Sequence, residues 1–404
     1  MATARRMPRP SEVLSLIGTP DRASSRRQRQ LDRCASVWDV RELARRRAPR
    51  VVFDYTDGAA MSETSLARSR EAYRRVEFTP RVLRDVDQVD TSTELLGRAS
   101  ALPFALAPTG FTRMMNSAGE PAVARVAAEA GIPYALSTLG TTSIEDVAAA
   151  SPQTRRWFQL YVSRDRDRAE DLMGRAGNNG FDVLILTVDA AVGGIRRREI
   201  RDGLTIPPRV RYGALAEMAL HPRWWFDALT TEPLSFASLT STGGTVGDLL
   251  TRVFDAGVTW DDIAWIREHW SGRLVLKGIQ SLEDARLAAD LGIDAIVLSN
   301  HGGRQVDMGT VPLELLPDVA AEVGERTAVL IDGGIMSGTD IVAALAFGAR
   351  GVLVGRAYLY GLMAGGEDGV RRVIDILEKE IRTTMQLIGA RSVAELGQAR
   401  VRLR

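Results

Sequence analysis

The sequence predicts a (β/α)8 barrel of the TIM type, an α/β fold, with an N-terminal helical arm and one long excursion after the fourth strand. Three observations predict it. Eight short apolar runs follow one another between residues 102 and 354, each ending in small or polar residues. Helical patterns alternate with them, the rhythm of parallel βα units. The first run leads into Pro108-Thr109-Gly110-Phe111, where an open doubly wound sheet would carry a Gly-x-Gly-x-x-Gly turn and would need fewer units.

The elements follow in order. Residues 1–37 read as a basic arm lying on the surface or on a neighbouring subunit; residues 1–36 hold eight arginines against Glu12, Asp21 and Asp32, an excess of five. The run Val13–Ile17 is too short and too late for a secretory signal. The barrel domain spans 38–404. A short helix over Trp38–Ala48 stops at Pro49, and a polar helix runs through Ala72 after Phe53–Ala60. Residues 76–98 alternate around Pro80 and Gly97, as strands closing the base of a barrel do. The eight runs are Leu102–Ala107, Pro133–Leu136, Trp157–Tyr161, Val183–Val188, Leu274–Leu276, Ala295–Leu298, Ala328–Ile331 and Val352–Val354. Between them lie helices at Pro121–Ala130, Ile144–Ala150, Arg168–Ala176, Asp261–His269, Leu282–Leu291 and Thr339–Phe347. Ser143, Ser281 and Ser337 each precede an aspartate by three residues, the pattern of an N-cap. An amphipathic helix, Val370–Ile388, and a short polar tail end the chain.

Composition excludes several classes. Apolar residues make 45% and charged residues 25%, values of a globular protein. A net charge of +1 gives no field for nucleic acid. The single cysteine, Cys34, forms no internal disulfide, and with three scattered histidines it leaves no zinc or iron–sulfur set. No apolar stretch approaches membrane-spanning length, so a cytoplasmic protein is expected. The excursion, 190–259, holds Pro207-Pro208, Leu220-His221-Pro222-Arg223-Trp224-Trp225-Phe226 and Gly243-Gly244. A connection this long is usually functional. With Arg209, Arg211 and Arg223 its aromatic cluster reads equally as a peripheral contact with the inner face of a membrane or as a lid or subunit contact.

Chemistry in a barrel gathers at the C-terminal ends of the strands. Those positions hold Pro108, Thr109 and Gly110; Ser137; Gln159 and Tyr161; Thr187 and Asp189; Lys277; Ser299, His301 and Arg304; Asp332, Gly333 and Gly334; Gly355 and Arg356. Buried polar groups are costly unless satisfied, so this many at one rim implies a large polar ligand. The glycines after strands 7 and 8, with Arg356, suit a phosphate. Lys277 either forms a Schiff base or stabilises negative charge, and beside a phosphate-bearing cofactor the second role fits a reduced flavin. In Ser299–Asp307, His301 can take a proton and Arg304 can grip a carboxylate. Asp189 can orient His301.

These residues together resemble the FMN-dependent α-hydroxy-acid dehydrogenases, from about residue 38 to the C-terminus, with Ser299–Asp307 as the signature loop. Leu220–Leu239, Ile335-Met336-Ser337-Gly338 and the run 357–366 are similar to the quinone-linked L-lactate dehydrogenases of actinobacteria. The resemblance implies FMN as cofactor and a small 2-hydroxy acid, L-lactate above all, as substrate. It implies His301 as the base; Arg304 and Arg196 as the carboxylate clamp; and Tyr55 and Tyr161 as hydrogen-bond donors to the substrate. Arg196 is picked from Arg196-Arg197-Arg198 by its spacing after Asp189, the other two arginines reading as a solvated face. Pro108, Thr109, Gly110, Ser137, Gln159, Thr187, Lys277 and Ser299 would hold the flavin ring and ribityl chain. Asp332, Gly333, Gly334, Gly355 and Arg356 would surround the phosphate. No haem-binding domain is expected before the barrel, so electrons would leave by quinone, another protein or oxygen, and relatives suggest a homotetramer. Met336 stands where many relatives have an arginine, and Leu139 where glycolate oxidases tend to have a tryptophan. Two alternatives stay open: an O2-using oxidase of glycolate- or mandelate-like acids, and a non-catalytic phosphate-binding barrel.

Overall fold

Eight parallel strands close on themselves in the computed structural model. The structure describes residues 25–163, 165–203, 219–237 and 254–404, with Arg9, Glu12 and the pair 205–206 and 244–245. Most of the basic arm with its Val13–Ile17 run, and Pro207, Pro208, Arg209, Arg211 and Gly243 of the excursion, lie outside the described residues.

The barrel strands are β1 (Phe104–Leu106), β2 (Tyr134–Ser137), β3 (Arg156–Leu160), β4 (Phe181–Thr187), β5 (Arg273–Ile279), β6 (Ala295–Leu298), β7 (Ala328–Ile331) and β8 (Gly351–Val354). Each pairs with its neighbour in sequence, β8 pairs with β1, and the barrel is closed. All eight fall on the apolar runs, two of them with the same bounds and the rest shifted at their ends by no more than three residues. Helices fill the connections: α1 (Arg26–Asp32), α2 (Val37–Arg47), α3 (Arg50–Asp57), α4 (Thr64–Arg74), α5 (Gly119–Glu129), α6 (Ile144–Ala150), α7 (Arg166–Asn178), α8 (Arg197–Asp202), α9 (Pro222–Thr230), α10 (Asp262–His269), α11 (Leu282–Asp290), α12 (Pro312–Val323), α13 (Gly338–Ala346), α14 (Arg356–Gly365) and α15 (Glu367–Ile388). The Ser143, Ser281 and Ser337 hydroxyls accept hydrogen bonds from the backbone N–H of Asp146, Asp284 and Asp340, satisfying orphan donors of the first turn.

Alternation along each strand divides the barrel into two cores. Outward side chains such as Phe104, Leu136, Leu184, Ile296 and Val352 pack under the helices. Inward ones form a layer of Ala105, Ala135, Trp157, Ile185, Val275, Val297, Leu330 and Leu353. Leu95, from the hairpin Thr93–Leu95 with Arg98–Ser100, joins that layer from below. The register of β5 shifts at Gly278, whose φ is +111°. A Cβ there would lie 2.6–2.8 Å from Asp189 atoms, so only glycine lets the end of β5 press against Asp189.

Three expectations change. Pro49 does not end helical structure; it caps α3 directly after α2, where a proline's missing N–H costs nothing. The C-terminal tail is not a free polar end. Val401–Leu403 pairs antiparallel with Val76–Phe78. From Ser25 onward the arm is docked: Leu31 of α1 is fully buried, and Arg372 of α15 donates to the Cys34 carbonyl at 2.7 Å.

Candidate active site

Two residues beyond the inward apolar layer, the same face of each strand continues with Ala107, Ser137, Gln159, Thr187, Lys277, Ser299, Asp332 and Gly355. The pleat alone places these side chains on the axis at the C-terminal mouth. Ala107, Ser137, Lys277, Asp332 and Gly355 of this layer floor a cavity of about 360 Å³, the size of a small-molecule site. Its lining includes Tyr55, Pro108, Thr109, Gly110, Ser137, Tyr161, Arg196, Lys277, His301, Arg304, Asp332, Gly333, Gly334, Gly355 and Arg356. Gln159, Thr187, Asp189 and Ser299 are buried in or beside the strand-end layer rather than on that lining. A larger cavity, about 840 Å³, lies beside α1 and α9 and contains none of the strand-end residues.

His301 opens a one-turn helix after β6 with φ +57°, a left-handed conformation that is rare without Gly and recurs at functional sites. Its Nδ1 lies 3.0 Å from Asp189 Oδ1, and its Nε2 lies 3.5 Å from the Tyr161 hydroxyl. Burial, aided by the Lys277 charge, lowers the His301 pKa against the pull of Asp189. Asp189 is itself buried, which would raise its pKa, yet the His301 and Lys277 charges hold it down. The result is a neutral imidazole backed by a carboxylate, an arrangement that accepts a proton and stabilises it.

Two arginines face the same space. Arg304 donates from Nη1 to the Tyr55 carbonyl at 2.6 Å and to the Gly58 carbonyl at 3.2 Å. Its guanidinium lies 4.8 Å from the centroid of the Tyr55 ring. Arg196 precedes α8 and donates weakly to the Arg304 carbonyl, 3.5 Å away. Burial and the Arg304 charge lower the Arg196 pKa, whereas at Arg304 burial is outweighed by Glu199 together with Tyr55 and Tyr161, and the pKa is raised. Burial raises the pKa of Tyr55 and of Tyr161, so both phenols are donors. Phe254 packs on the Tyr161 ring at 4.8 Å, and with Leu139 it gives the cavity an apolar wall.

Lys277 Nζ is 3.1 Å from Asp332 Oδ2 and donates to Ser299 Oγ at 3.0 Å. Burial opposes its charge, but Asp332 and Asp189 win and its pKa is raised. A lysine held protonated is no Schiff-base nucleophile; it is a fixed positive charge. Arg356 opens α14 and donates to the carbonyls of Thr56 at 2.9 Å and Gly58 at 2.8 Å. Burial lowers its pKa, and it makes no ion pair among the described residues. The other arginines on the lining do: Arg41 with Asp57, Arg70 with Asp340, Arg198 with Asp54, Asp57 and Glu63. A half-buried cation that hydrogen-bonds carbonyls and has no ion pair among the described residues, beside the glycines of the β7 loop, is suited to a phosphate. Gln159 Nε2, Thr187 Oγ1 and Asp332 Oδ1 are buried without a partner, and such groups call for a ligand. The donors and cations present fit FMN.

Several residues here carry no signal in the sequence. Glu199 pairs with both Arg304 and Arg196. Arg70 reaches from α4 to the Gly334 carbonyl and to Asp340 Oδ2 at 2.8 Å, beside Met336. Arg198 is partly exposed but ion-paired, tying α8 to α3, and of the three neighbouring arginines Arg197 alone is fully on the surface. In the excursion, Trp224 Nε1 donates to the Met114 carbonyl at 3.0 Å, while Phe226 and Leu229 are 67% and 69% exposed.

Residues 44–403 match the family described as FMN-dependent dehydrogenase. The chain is 52% identical over 401 residues, 99% of its length and 97% of the other, to a Mycobacterium tuberculosis (strain ATCC 25618 / H37Rv) protein named "Putative L-lactate dehydrogenase". It is 44% identical to an L-lactate dehydrogenase of Caulobacter vibrioides (strain NA1000 / CB15N), over 90% of this chain and 96% of that one. Among solved structures it resembles the monotopic membrane protein (S)-mandelate dehydrogenase, with TM-score 0.87 and 37% identity over 92% of this chain and 100% of that one. A mandelate oxidase matches with TM-score 0.80 and 38% identity, over 92% of this chain and 98% of that one.

Proposed function

The chain belongs to the FMN-dependent dehydrogenase family, and from that premise we propose that it oxidises L-lactate to pyruvate, a quinone taking the electrons. It is thus an FMN-dependent oxidoreductase. The observation that carries the substrate reading is the meeting of the His301–Asp189 pair with Arg196 and Arg304 in one cavity.

Arg196 and Arg304 hold the substrate carboxylate, each able to give parallel N–H donors. Tyr55 and Tyr161 donate to the carboxylate and to the hydroxyl oxygen. His301 Nε2 takes the proton, and Asp189 holds the resulting imidazolium through Nδ1. FMN, when bound, would supply a two-electron acceptor for the hydride equivalent (two electrons and one proton) that the acid gives up beside the proton taken by His301. Gln159, Thr187, Ser137, Ser299 and the Pro108–Gly110 backbone would hold its ring and ribityl chain. Lys277, paired with Asp332, would supply positive charge to it. Arg356, Gly333, Gly334 and Gly355 would surround its phosphate.

The test is anaerobic addition of L-lactate to the yellow protein. Bleaching of the flavin supports the reading; no bleaching with lactate, glycolate or mandelate overturns it. The apolar wall of Leu139 and Phe254 favours a second reading, an aromatic 2-hydroxy acid, which faster bleaching by (S)-mandelate than by lactate would establish. No helix among the described residues is long and apolar enough to cross a membrane. The exposed Leu220, Phe226 and Leu229 around α9, beside Arg223, support a peripheral contact with a membrane, where a quinone dissolves.

A further inference from the structure

The two clamp arginines share one carboxylate. Glu199 Oε1 accepts from Arg304 Nη2 at 2.8 Å, and Glu199 Oε2 lies 3.5 Å from Arg196 Nη1. All three side chains are nearly buried, at 11% exposure for Glu199 against 14% and 10% for the arginines. Arg196 and Arg304 line the cavity and Glu199 does not. It therefore stands behind the guanidinium groups, leaving them free to meet a ligand. Arg198, one residue earlier on the same short helix, is fastened to Asp54, Asp57 and Glu63, so the backbone that carries Glu199 is anchored to α3.

We propose that Glu199 is a positioning residue that fixes both guanidinium groups and cuts the charge of the clamp from two positives to a net one, so that the site selects a hydroxy acid with a single carboxylate. The charge count follows directly from the geometry. With Glu199 ionised the group of three is +1, and one substrate carboxylate neutralises it. Without that negative charge the group is +2 in a cavity where field is weakly screened, and an anion with a second carboxylate gains more than a monoanion does. The reach matters separately: Glu spans both arginines, whereas Asp is one methylene shorter and loses one of them.

This inference rests on the proposed clamp role of Arg196 and Arg304, and the experiment separates the two. Holoenzyme bearing Glu199→Gln or Glu199→Asp is titrated with propanoate and with succinate, neither of which can be oxidised as a 2-hydroxy acid, and the flavin absorbance reports binding. L-Lactate bleaching of the native protein is recorded alongside. The flavin-to-protein absorbance ratio verifies that each variant is loaded and folded. Glu199→Gln should raise the affinity for succinate relative to propanoate by about tenfold, a ratio that a merely structural role would not move. Glu199→Asp should keep that ratio within about twofold while weakening both anions, because charge remains and reach is lost. A ratio unchanged in Glu199→Gln, or shifted equally in both variants, overturns the inference. If Glu199→Gln does not load FMN, Glu199→Asp decides alone: a changed ratio with charge retained overturns it. A shifted ratio in a protein that lactate does not bleach would leave the clamp standing and discard lactate.

Discussion

Replacing Asp189 by Asn probes the proposed base most directly. The Asp189 carboxylate lies 3.0 Å from His301 Nδ1 and its side chain is 1% exposed. Asn keeps the size and removes the charge. When His301 Nε2 takes its proton, an imidazolium forms with its charge centre about 4 Å from that carboxylate, worth about 4 kcal/mol at an effective dielectric constant of about 20. At 1.36 kcal/mol per power of ten, this comes to about a thousandfold. Anaerobic stopped-flow reduction of the flavin at saturating L-lactate should slow by about that factor, with FMN content unchanged; slowing of less than about tenfold would refute the role of Asp189. The pH dependence carries a second check. His301 is a base only when neutral, and burial holds its pKa below the ordinary value of 6.5. kcat/KM of the native enzyme should therefore rise with pH to a midpoint below that value and be level above it. Losing the Asp189 charge lowers the His301 pKa further, so raising the pH cannot restore the lost rate. Recovery to the native rate at about pH 9 would require a His301 pKa raised by the substitution, opposite to the direction set by removing a carboxylate, and would refute this account of the pair.

Four further outcomes are expected. His301→Gln should abolish flavin reduction while FMN stays bound; retained turnover would place the base elsewhere. Arg356→Gln should weaken FMN binding to the apoprotein by about ten- to hundredfold, the range for a hydrogen bond to a charged group, and leave riboflavin, which has no phosphate, unchanged; fluorescence quenching reads both. Phe226→Asp with Leu229→Asp should reduce cosedimentation with anionic phospholipid vesicles and leave lactate bleaching intact, since neither residue lines the strand-end cavity; undiminished cosedimentation counts against α9 as the contact. Gly369→Ala would set a Cβ against the Gly361 carbonyl at the contact of α14 with α15; urea unfolding should show a loss of about 3 kcal/mol, the upper range for overpacking.

The barrel was legible because its signal is periodic. Eight apolar runs and three serine caps each repeat one local rule, and the pleat then fixes which residues face inward. From Val275 on β5, two steps reach Lys277; from Val297 on β6, two steps reach Ser299. What stayed hidden depends on contacts distant in sequence. Glu199 in Arg196-Arg197-Arg198-Glu199 looks like one charge on a polar helix, and only the placement of Arg304, 105 residues later, makes it a shared counter-ion. Arg70 reads as part of a solvated face on α4 and instead holds the Gly334 loop. The tail Val401–Leu403 is too short to read as a strand without its partner, Val76–Phe78. The helix α3, which brings Tyr55 to the cavity, follows Pro49 so closely that the proline reads as a stop rather than a cap.

The charges around the cavity leave two separate places for an anion. Lys277 has Asp332, Arg41 has Asp57, Arg70 has Asp340 and Arg198 has three acids. Against this background two deficits remain. Arg196 and Arg304 share a single carboxylate, and Arg356 has none among the described residues. A buried cation short of a counter-ion is costly, so each deficit favours an anion. On the functional reading proposed here the two anions are the carboxylate of the hydroxy acid and the phosphate of FMN. The deficits lie on different loops, after β4 and β6 in one case and after β8 in the other, so satisfying one leaves the other intact. FMN loading should therefore raise the melting temperature of the apoprotein more than riboflavin does, because only the phosphate removes the Arg356 deficit. In the Arg356→Gln variant that difference should vanish, and a difference that persists would place the phosphate elsewhere.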